Sequence, residues 1–108
     1  MSAAGMPDGN YKLGELDVRV VNGKCVIGED TLAGSTLTLD RALRNFAEFT
    51  GAALDDVSKL ASRNPARMTG FEAEAGSLAV GRAADITVLS AKNEVVETIL
   101  HGRCLVSA

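Results

Sequence analysis

Residues 16–27 read LDVRVVNGKCVI, two apolar runs on either side of Asn22 and Gly23. Asn-Gly between alternating apolar residues is a strong signal for a β-hairpin with a two-residue turn, because both turn residues must take positive φ. With these two residues in the turn, Val20 pairs with Cys25 across the hairpin. The register therefore predicts that Cys25 is a buried structural thiol.

A second turn with the same chemistry is predicted near the end of the chain, at His101 and Gly102. Histidine, like asparagine, is enriched at positive φ, and glycine adopts it freely. Three strands are predicted around this turn, over Ala84–Leu89, Val95–Leu100 and Arg103–Val106. We interpret His101 as a turn residue and not as a general base.

Helices are predicted between the two groups of strands. Thr38 is a plausible N-cap for the first helix, and Gly51 supplies its C-terminal stop. A second helix is predicted from Ala53 to Ser62, followed by a short helical turn over Pro65–Met68 with Asn64 as its cap. The apolar stripes of the first two helices comprise Leu39, Leu43, Phe46, Leu54, Val57 and Leu60. The order of strands, helices and strands favours an α+β fold.

The connection between the hairpin and the first helix holds the candidate binding residues. We predict a loop over Gly28–Thr36 that contains Leu32, Ala33 and Gly34. Small residues let a ligand approach backbone N–H and C=O groups, as sugar sites often require. Ser35 has no histidine or lysine neighbour in sequence to activate it, so it is not a candidate nucleophile.

Composition limits the possible classes of protein. The 108 residues, of which 46% are hydrophobic, suffice for one modest core, so one domain or a piece of one is expected. The net charge of -3 comes with no basic stripe that would track nucleic-acid phosphates. No run reaches the roughly 20 apolar residues of a membrane helix, and the start lacks the pattern of a signal peptide. We expect a cytoplasmic protein without nucleic-acid or membrane partners.

Metal and phosphate sites find little support in the residues themselves. His101 is the one histidine, whereas a catalytic metal usually takes about three protein ligands. Cys25 and Cys104 lie far apart and form no CxxC pair. The stretch Gly76–Gly81 matches no phosphate-binding loop, and Asp85 at a strand start is expected to accept backbone hydrogen bonds. We therefore predict no catalytic and no metal-binding residue within this chain.

Four segments nevertheless form a familiar pattern: Ala4–Gly9 with Tyr11 and Leu13, Thr31–Thr38, Ala61–Arg67, and Gly76-Ser77-Leu78 with Gly81 and Ala84-Asp85. Together they resemble the C-terminal third of the N-acetylglucosamine-6-phosphate deacetylases, a family of the amidohydrolase superfamily. The first two segments are specific to the deacetylases, and the last two mark the superfamily.

The resemblance implies a (β/α)8 barrel with a small flanking β-domain. Residues 1–70 would be a barrel-derived loop, hairpin and helices, and residues 71–108 would be strands of the flanking β-domain. In the family a divalent metal, zinc or iron, is held by a glutamate and two histidines from earlier strands. A catalytic aspartate would fall two residues before Met1. The main chain of Leu32, Ala33 and Gly34 would line the substrate site.

We therefore expect the chain to be the C-terminal part of an enzyme that hydrolyses N-acetylglucosamine 6-phosphate, and to be inactive alone. Its helix stripes would pack on barrel strands that the chain lacks, so a homo-oligomer is expected. The alternative is a stand-alone, non-catalytic binding or assembly module. An internal translation start or a misplaced gene start is a third interpretation.

Overall fold

The structure is a computed structural model that describes residues 3–107, so Met1, Ser2 and Ala108 lie outside the described residues. The chain forms two compact units, one ending at Thr38 and one beginning at Leu39. Each unit contains one antiparallel sheet, and the second unit also contains three helices. The α+β class is confirmed. The expected division of the chain into a barrel-derived part, residues 1–70, and strands of a flanking β-domain, residues 71–108, stays a prediction.

The N-terminal unit is a four-stranded sheet in the order β1-β2-β3-β4. Its strands are β1 (Gly9–Leu13), β2 (Leu16–Val21), β3 (Lys24–Ile27) and β4 (Thr31–Gly34). Asn22 and Gly23 connect β2 to β3 with φ values of 50° and 73°. Val20 pairs with Cys25. Both the turn and this register are as predicted.

The core of the N-terminal unit lies on one face of this sheet. Val18 and Val20 alternate with exposed residues along β2 and are buried on this face with Cys25 of β3 and with Ala3. Tyr11, Leu13 and Ala33 pack around this cluster. The Ala-, Gly-, Pro- and Asp-rich composition of residues 1–10 predicts an irregular, exposed segment, and for the described residues 3–10 this prediction is wrong in part. The Ala3 side chain completes the core, and β1 already begins at Gly9.

The loop predicted over Gly28–Thr36 is also wrong in part, because β4 pairs with β3. Cys25 is opposite Gly34 and Val26 is opposite Leu32, so Ala33 is the extra residue of a β-bulge. Glycine and alanine are poor strand formers. β4 tolerates Ala33 and Gly34 because it is a short edge strand with a bulge, which pairs with a neighbouring strand on one side only.

The C-terminal unit begins with α1 (Leu39–Thr50), α2 (Leu54–Ala61) and α3 (Arg63–Thr69). The predicted stop at Gly51 is confirmed: its φ is 69°, and its N–H donates to Ala47 O at 2.8 Å. The third helix is longer than predicted, and Ser62 stands at its N-cap position in place of Asn64. Pro65 is tolerated because it lies in the first helical turn, where backbone N–H groups have no intrahelical acceptor.

None of these helices, within the described part of the chain, is long and apolar enough to span a membrane.

A three-stranded sheet, β5 (Ile86–Leu89), β6 (Val95–Leu100) and β7 (Arg103–Ser107), completes the C-terminal unit in that order. His101 and Gly102 form the predicted turn, with φ values of 47° and 77°. β5 begins at Ile86 and not at Ala84, because the two preceding residues bind the turn. Gly102 N donates to Ala84 O at 3.0 Å, and His101 N donates to an Asp85 carboxylate oxygen at 2.8 Å.

Burial differs sharply between the two units. Among the described side chains, the buried hydrophobic residues of the C-terminal unit are Val57 and Ala66, and α1 contains none. Leu39 at the start of α1 is 64% exposed, and Phe49 near its end is 82% exposed. The helices of this unit therefore leave several large apolar side chains exposed.

Replacing Cys25 by alanine should destabilise the N-terminal unit by about 1 to 2 kcal/mol, since the lost sulfur leaves a cavity beside Val20. Urea unfolding of the purified chain measures this change. Cys104→Ala is the matched control, because Cys104 is exposed and its truncation leaves no cavity. Equal midpoints for Cys25→Ala and the unsubstituted chain would show that the hairpin register is wrong.

Candidate functional site

The two segments specific to the deacetylase pattern meet at the Asn22-Gly23 turn. Gly5 N donates to Thr36 O at 3.0 Å, and Thr36 Oγ1 donates to Gly23 O at 2.5 Å. The Asp8 carboxylate accepts hydrogen bonds from Asn22 N at 2.7 Å and from Gly23 N at 3.3 Å. We call this arrangement the hairpin clasp. It fixes the segment around Gly5 and Asp8 against the end of β4.

Asp8 has a structural role in the clasp. Each of its oxygens accepts from a backbone N–H of the turn, and hydrogen bonds to an ionised carboxylate are among the stronger ones in proteins. Tyr11 Oη donates to Pro7 O at 2.8 Å and holds the same segment from its other end. Sequence reasoning did not find this role. One signal for it was present, because Asp8 lies in Ala4–Gly9, a segment that resembles the deacetylases.

The candidate binding residues lie on β4, at the edge of the N-terminal sheet. Within the described residues β4 has a neighbouring strand on one side, so its other side presents backbone N–H and C=O groups without a ladder partner. The Leu32 side chain is 72% exposed. Ala33 packs on the core, and a Cβ added at Gly34 would lie 3.7 Å from Cys25 Sγ. Main-chain binding of a ligand here stays a prediction.

Three other polar residues considered from the sequence lie outside the helices and strands. Ser35 Oγ accepts a hydrogen bond from Leu37 N at 3.1 Å. Asp85 accepts from His101 N, as expected for a carboxylate at a strand start, and His101 Nδ1 lies 3.8 Å from the same oxygen. The His101 side chain is 74% exposed. These contacts agree with the interpretation of His101 as a turn residue.

In the stretch Gly76–Gly81, Gly76 packs closely on α3, whereas Leu78 and Val80 are exposed. Gly76 has a φ of 87° and lies so close to α3 that an added Cβ would approach the Ala66 Cβ to 2.7 Å. Arg82 Nη1 donates to Ala75 O at 3.0 Å and to Ser77 Oγ at 2.8 Å. The close approach explains why glycine is needed here, without any phosphate ligand.

The described residues do not fit a catalytic metal. No three His, Cys, Asp or Glu side chains come together within residues 3–107 in a way that could hold an ion. The pKa of Asp56 is lowered because Lys59 donates a hydrogen bond to its carboxylate, and that bond also raises the pKa of Lys59. This pair lies on the surface of α2, where Lys59 also forms an ion pair with Asp55 at 3.2 Å.

Comparison with known proteins identifies the class to which this arrangement belongs. Residues 14–105 match the model of the amidohydrolase family. The chain is 39% identical over 103 residues to a putative N-acetylgalactosamine-6-phosphate deacetylase of Escherichia coli K12, covering 95% of this chain. It superposes with a TM-score of 0.87 and 37% identity on the N-acetylglucosamine-6-phosphate deacetylase of Thermotoga maritima, over 100% of this chain.

A third relative is a variant N-acetyl-D-glucosamine-6-phosphate deacetylase of Mycobacterium smegmatis, in complex with N-acetyl-D-glucosamine 6-phosphate. It is 39% identical, with a TM-score of 0.80 over 96% of this chain. The chain spans a limited part of each relative: 62% of the Escherichia coli protein, 30% of the Thermotoga maritima chain and 28% of the Mycobacterium smegmatis chain.

Gly76→Ala should lower stability more than Gly81→Ala, although both glycines have positive φ. The backbone strain common to both costs about 1 to 2 kcal/mol. At Gly76 the clash with Ala66 adds about 1 to 3 kcal/mol, whereas a Cβ at Gly81 meets nothing within 4 Å. Urea unfolding of the two variants measures the difference. Equal destabilisation would contradict the close packing of Gly76 on α3.

Proposed function

The chain belongs to the amidohydrolase family, and on that basis we propose that it is the C-terminal part of an N-acetylglucosamine-6-phosphate deacetylase. The reaction of the whole enzyme would convert N-acetylglucosamine 6-phosphate and water to glucosamine 6-phosphate and acetate. The hairpin clasp is the observation that carries this proposal. It joins two segments, distant in sequence, that both follow the deacetylase pattern.

In this proposal the chain supplies part of the substrate site. The open edge of β4 offers some of the main-chain donors and acceptors of Leu32–Gly34, since alternate strand residues direct theirs away from β3, and such groups suit the hydroxyl and amide groups of an amino sugar. The clasp supports this edge, because Thr36 just beyond β4 is bonded both to Gly5 and to Gly23. A ligand would bind to a backbone whose position is already fixed.

The bond-breaking groups would come from elsewhere in the family fold. Hydrolysis of an acetamide requires polarisation of its carbonyl and a group that transfers a proton to the leaving amine. The residues described here do not assemble a metal site. The proposal therefore places the divalent metal, zinc or iron, and the proton-transfer carboxylate in the part of the enzyme outside these 108 residues. A cytoplasmic location belongs to the same proposal.

A chimera tests this assignment. The segment of the Thermotoga maritima deacetylase that matches this chain is replaced by residues 1–108, and acetate release from N-acetylglucosamine 6-phosphate is measured. We expect the chimera to be active, and the isolated chain to be inactive with added zinc, iron or manganese. In the chimera, Ala33→Pro removes one N–H from the proposed binding edge and should raise KM at least tenfold. Leu32→Ala should change KM little, because it leaves the main chain intact.

Two results would contradict the proposal. Metal-dependent acetate release by the isolated chain would mean that the catalytic groups lie within it. A folded chimera without activity would contradict the assignment of the chain to this enzyme. An unchanged KM in the Ala33→Pro chimera would contradict the proposed role of β4 in binding substrate. A stand-alone binding or assembly module would then account better for the chain.

We also expect the isolated chain to self-associate. Uncovered helix stripes and open sheet edges each favour contact with another copy, and burying one large apolar side chain contributes about 1.5 to 3 kcal/mol. Light scattering during size-exclusion chromatography should show a dimer or larger species at micromolar concentration. A compact monomer that unfolds cooperatively would contradict this expectation.

A further inference from the structure

The Asn22-Gly23 dipeptide that forms the first hairpin turn is chemically reactive as well as structural. A backbone nitrogen that follows an asparagine can attack the carboxamide carbon of that side chain. Here Gly23 N would bond to Asn22 Cγ, the bond from Cγ to Nδ2 would break, and ammonia would leave with the former Gly23 amide proton. Water then opens the resulting succinimide to aspartate or isoaspartate. Glycine favours the attack because it has no side chain to hinder the approach.

The sequence and the surroundings of the turn both favour this reaction at Asn22. It is the one asparagine of the sequence that precedes a glycine. Both turn residues are exposed, and a Cβ added at Gly23 would meet nothing within 4 Å, so the turn is open to water. Asn93 also has positive φ, at 59°, but it precedes Glu94. Asn93 therefore provides an internal comparison.

The hairpin clasp opposes the reaction. Gly23 N donates to an Asp8 oxygen at 3.3 Å, and ring closure would remove the proton of this hydrogen bond. Negative charge that develops on Gly23 N as the proton leaves would face the Asp8 carboxylate, and like charges this close repel each other. Asn22 N also donates to Asp8, and Thr36 Oγ1 donates to Gly23 O. The closed clasp thus holds the turn by three of its backbone groups.

We propose that Asn22 is a site of spontaneous deamidation and that the closed hairpin clasp restrains the reaction. Water is the only co-reactant that the reaction needs. Conversion proceeds from the states in which the clasp has opened and freed Gly23 N. The proposal concerns the turn itself and does not depend on the substrate of the enzyme.

Either product prevents the clasp from closing again. An aspartate places a second carboxylate on the residue whose own N–H donates to Asp8. An isoaspartate runs the backbone through its Cβ and adds one carbon to a two-residue turn, whose geometry fixes the pairing of Val20 with Cys25. Deamidation therefore releases the segment around Gly5 and Asp8 from the turn, and water alone does not restore the asparagine.

Peptide mapping by mass spectrometry tests the proposal. The purified chain is incubated at neutral pH, and trypsin then separates the two positive-φ asparagines into peptides 20–24 and 93–103. Peptide 20–24 should gain mass with time, by replacement of a side-chain NH2 with OH, and should resolve into two isomers on chromatography. Peptide 93–103 should keep its mass, because the side chain of Glu94 hinders the attack. A sample digested before incubation corrects for conversion during digestion.

Variants of the clasp identify the restraint. Asp8→Ala removes the acceptor of both turn N–H groups and should speed conversion of Asn22 about tenfold, since hydrogen bonds to an ionised carboxylate stabilise the closed turn. Thr36→Val removes the donor to Gly23 O alone and should speed conversion less. Cys25→Ala is the matched control, because it weakens the same sheet and leaves the clasp residues in place. It should change the rate far less than Asp8→Ala does, and circular dichroism checks that each variant is folded.

Asn22→Asp reproduces one product and tests its effect on the clasp. It should lower the urea midpoint of the N-terminal unit, because its carboxylate lies beside that of Asp8. In a chain that already carries Asp8→Ala, the same substitution should lower the midpoint less, since the opposing carboxylate is gone.

The proposal is overturned if Asp8→Ala leaves conversion of Asn22 unchanged, slows it, or shows no conversion at all. It is also overturned if Cys25→Ala speeds conversion as much as Asp8→Ala does, since the reaction would then proceed through unfolding of the sheet. Equal conversion of Asn22 and Asn93 would contradict the assignment of the site. An equal effect of Asn22→Asp with and without Asp8 would contradict the release of the clasp by repulsion.

Discussion

Both sheets depend on the same interaction, an aspartate carboxylate that accepts hydrogen bonds from the backbone of a two-residue turn. Asp8 accepts from Asn22 N and Gly23 N in the N-terminal unit, and Asp85 accepts from His101 N in the C-terminal unit. Turn residues at positive φ have backbone N–H groups that no ladder satisfies, and a carboxylate is a strong acceptor for them. In each unit this bond fixes a segment from outside the hairpin against the turn, and the strand register follows from the turn.

Sequence patterns predicted what is local in this structure. Asn22-Gly23 predicted a register that buries Cys25, and Gly51 predicted the end of α1, because positive φ at a known position leaves few alternatives. Long-range contacts were missed. Leu32–Gly34 has little strand propensity and becomes β4 only because β3 is available beside it. The clasp between Asp8 and a turn 14 residues away likewise depends on the folded sheet and has no sequence period.

The two units differ in how far they complete a core. The N-terminal unit buries Val18, Val20 and Cys25 together and carries the β4 edge proposed to bind an amino-sugar phosphate. The C-terminal unit buries Val57 and Ala66 among its described residues and keeps an open groove. The chain belongs to the amidohydrolase family, while its described residues assemble no metal site. In the proposed function the N-terminal unit offers the β4 binding edge, and the reacting groups lie outside these 108 residues.

Amide hydrogen exchange, read segment by segment, tests most directly whether the C-terminal unit needs an outside partner. The account predicts that β2 and β3 exchange slowly in the isolated chain, since they flank the N-terminal core. It predicts that α1 exchanges orders of magnitude faster when the chain is dilute enough to be monomeric, because local opening of a helix without buried residues costs little. Raising the concentration until the chain self-associates should then slow the exchange of α1. Equal protection of α1 and β2 in a monomeric, isolated chain would contradict the account.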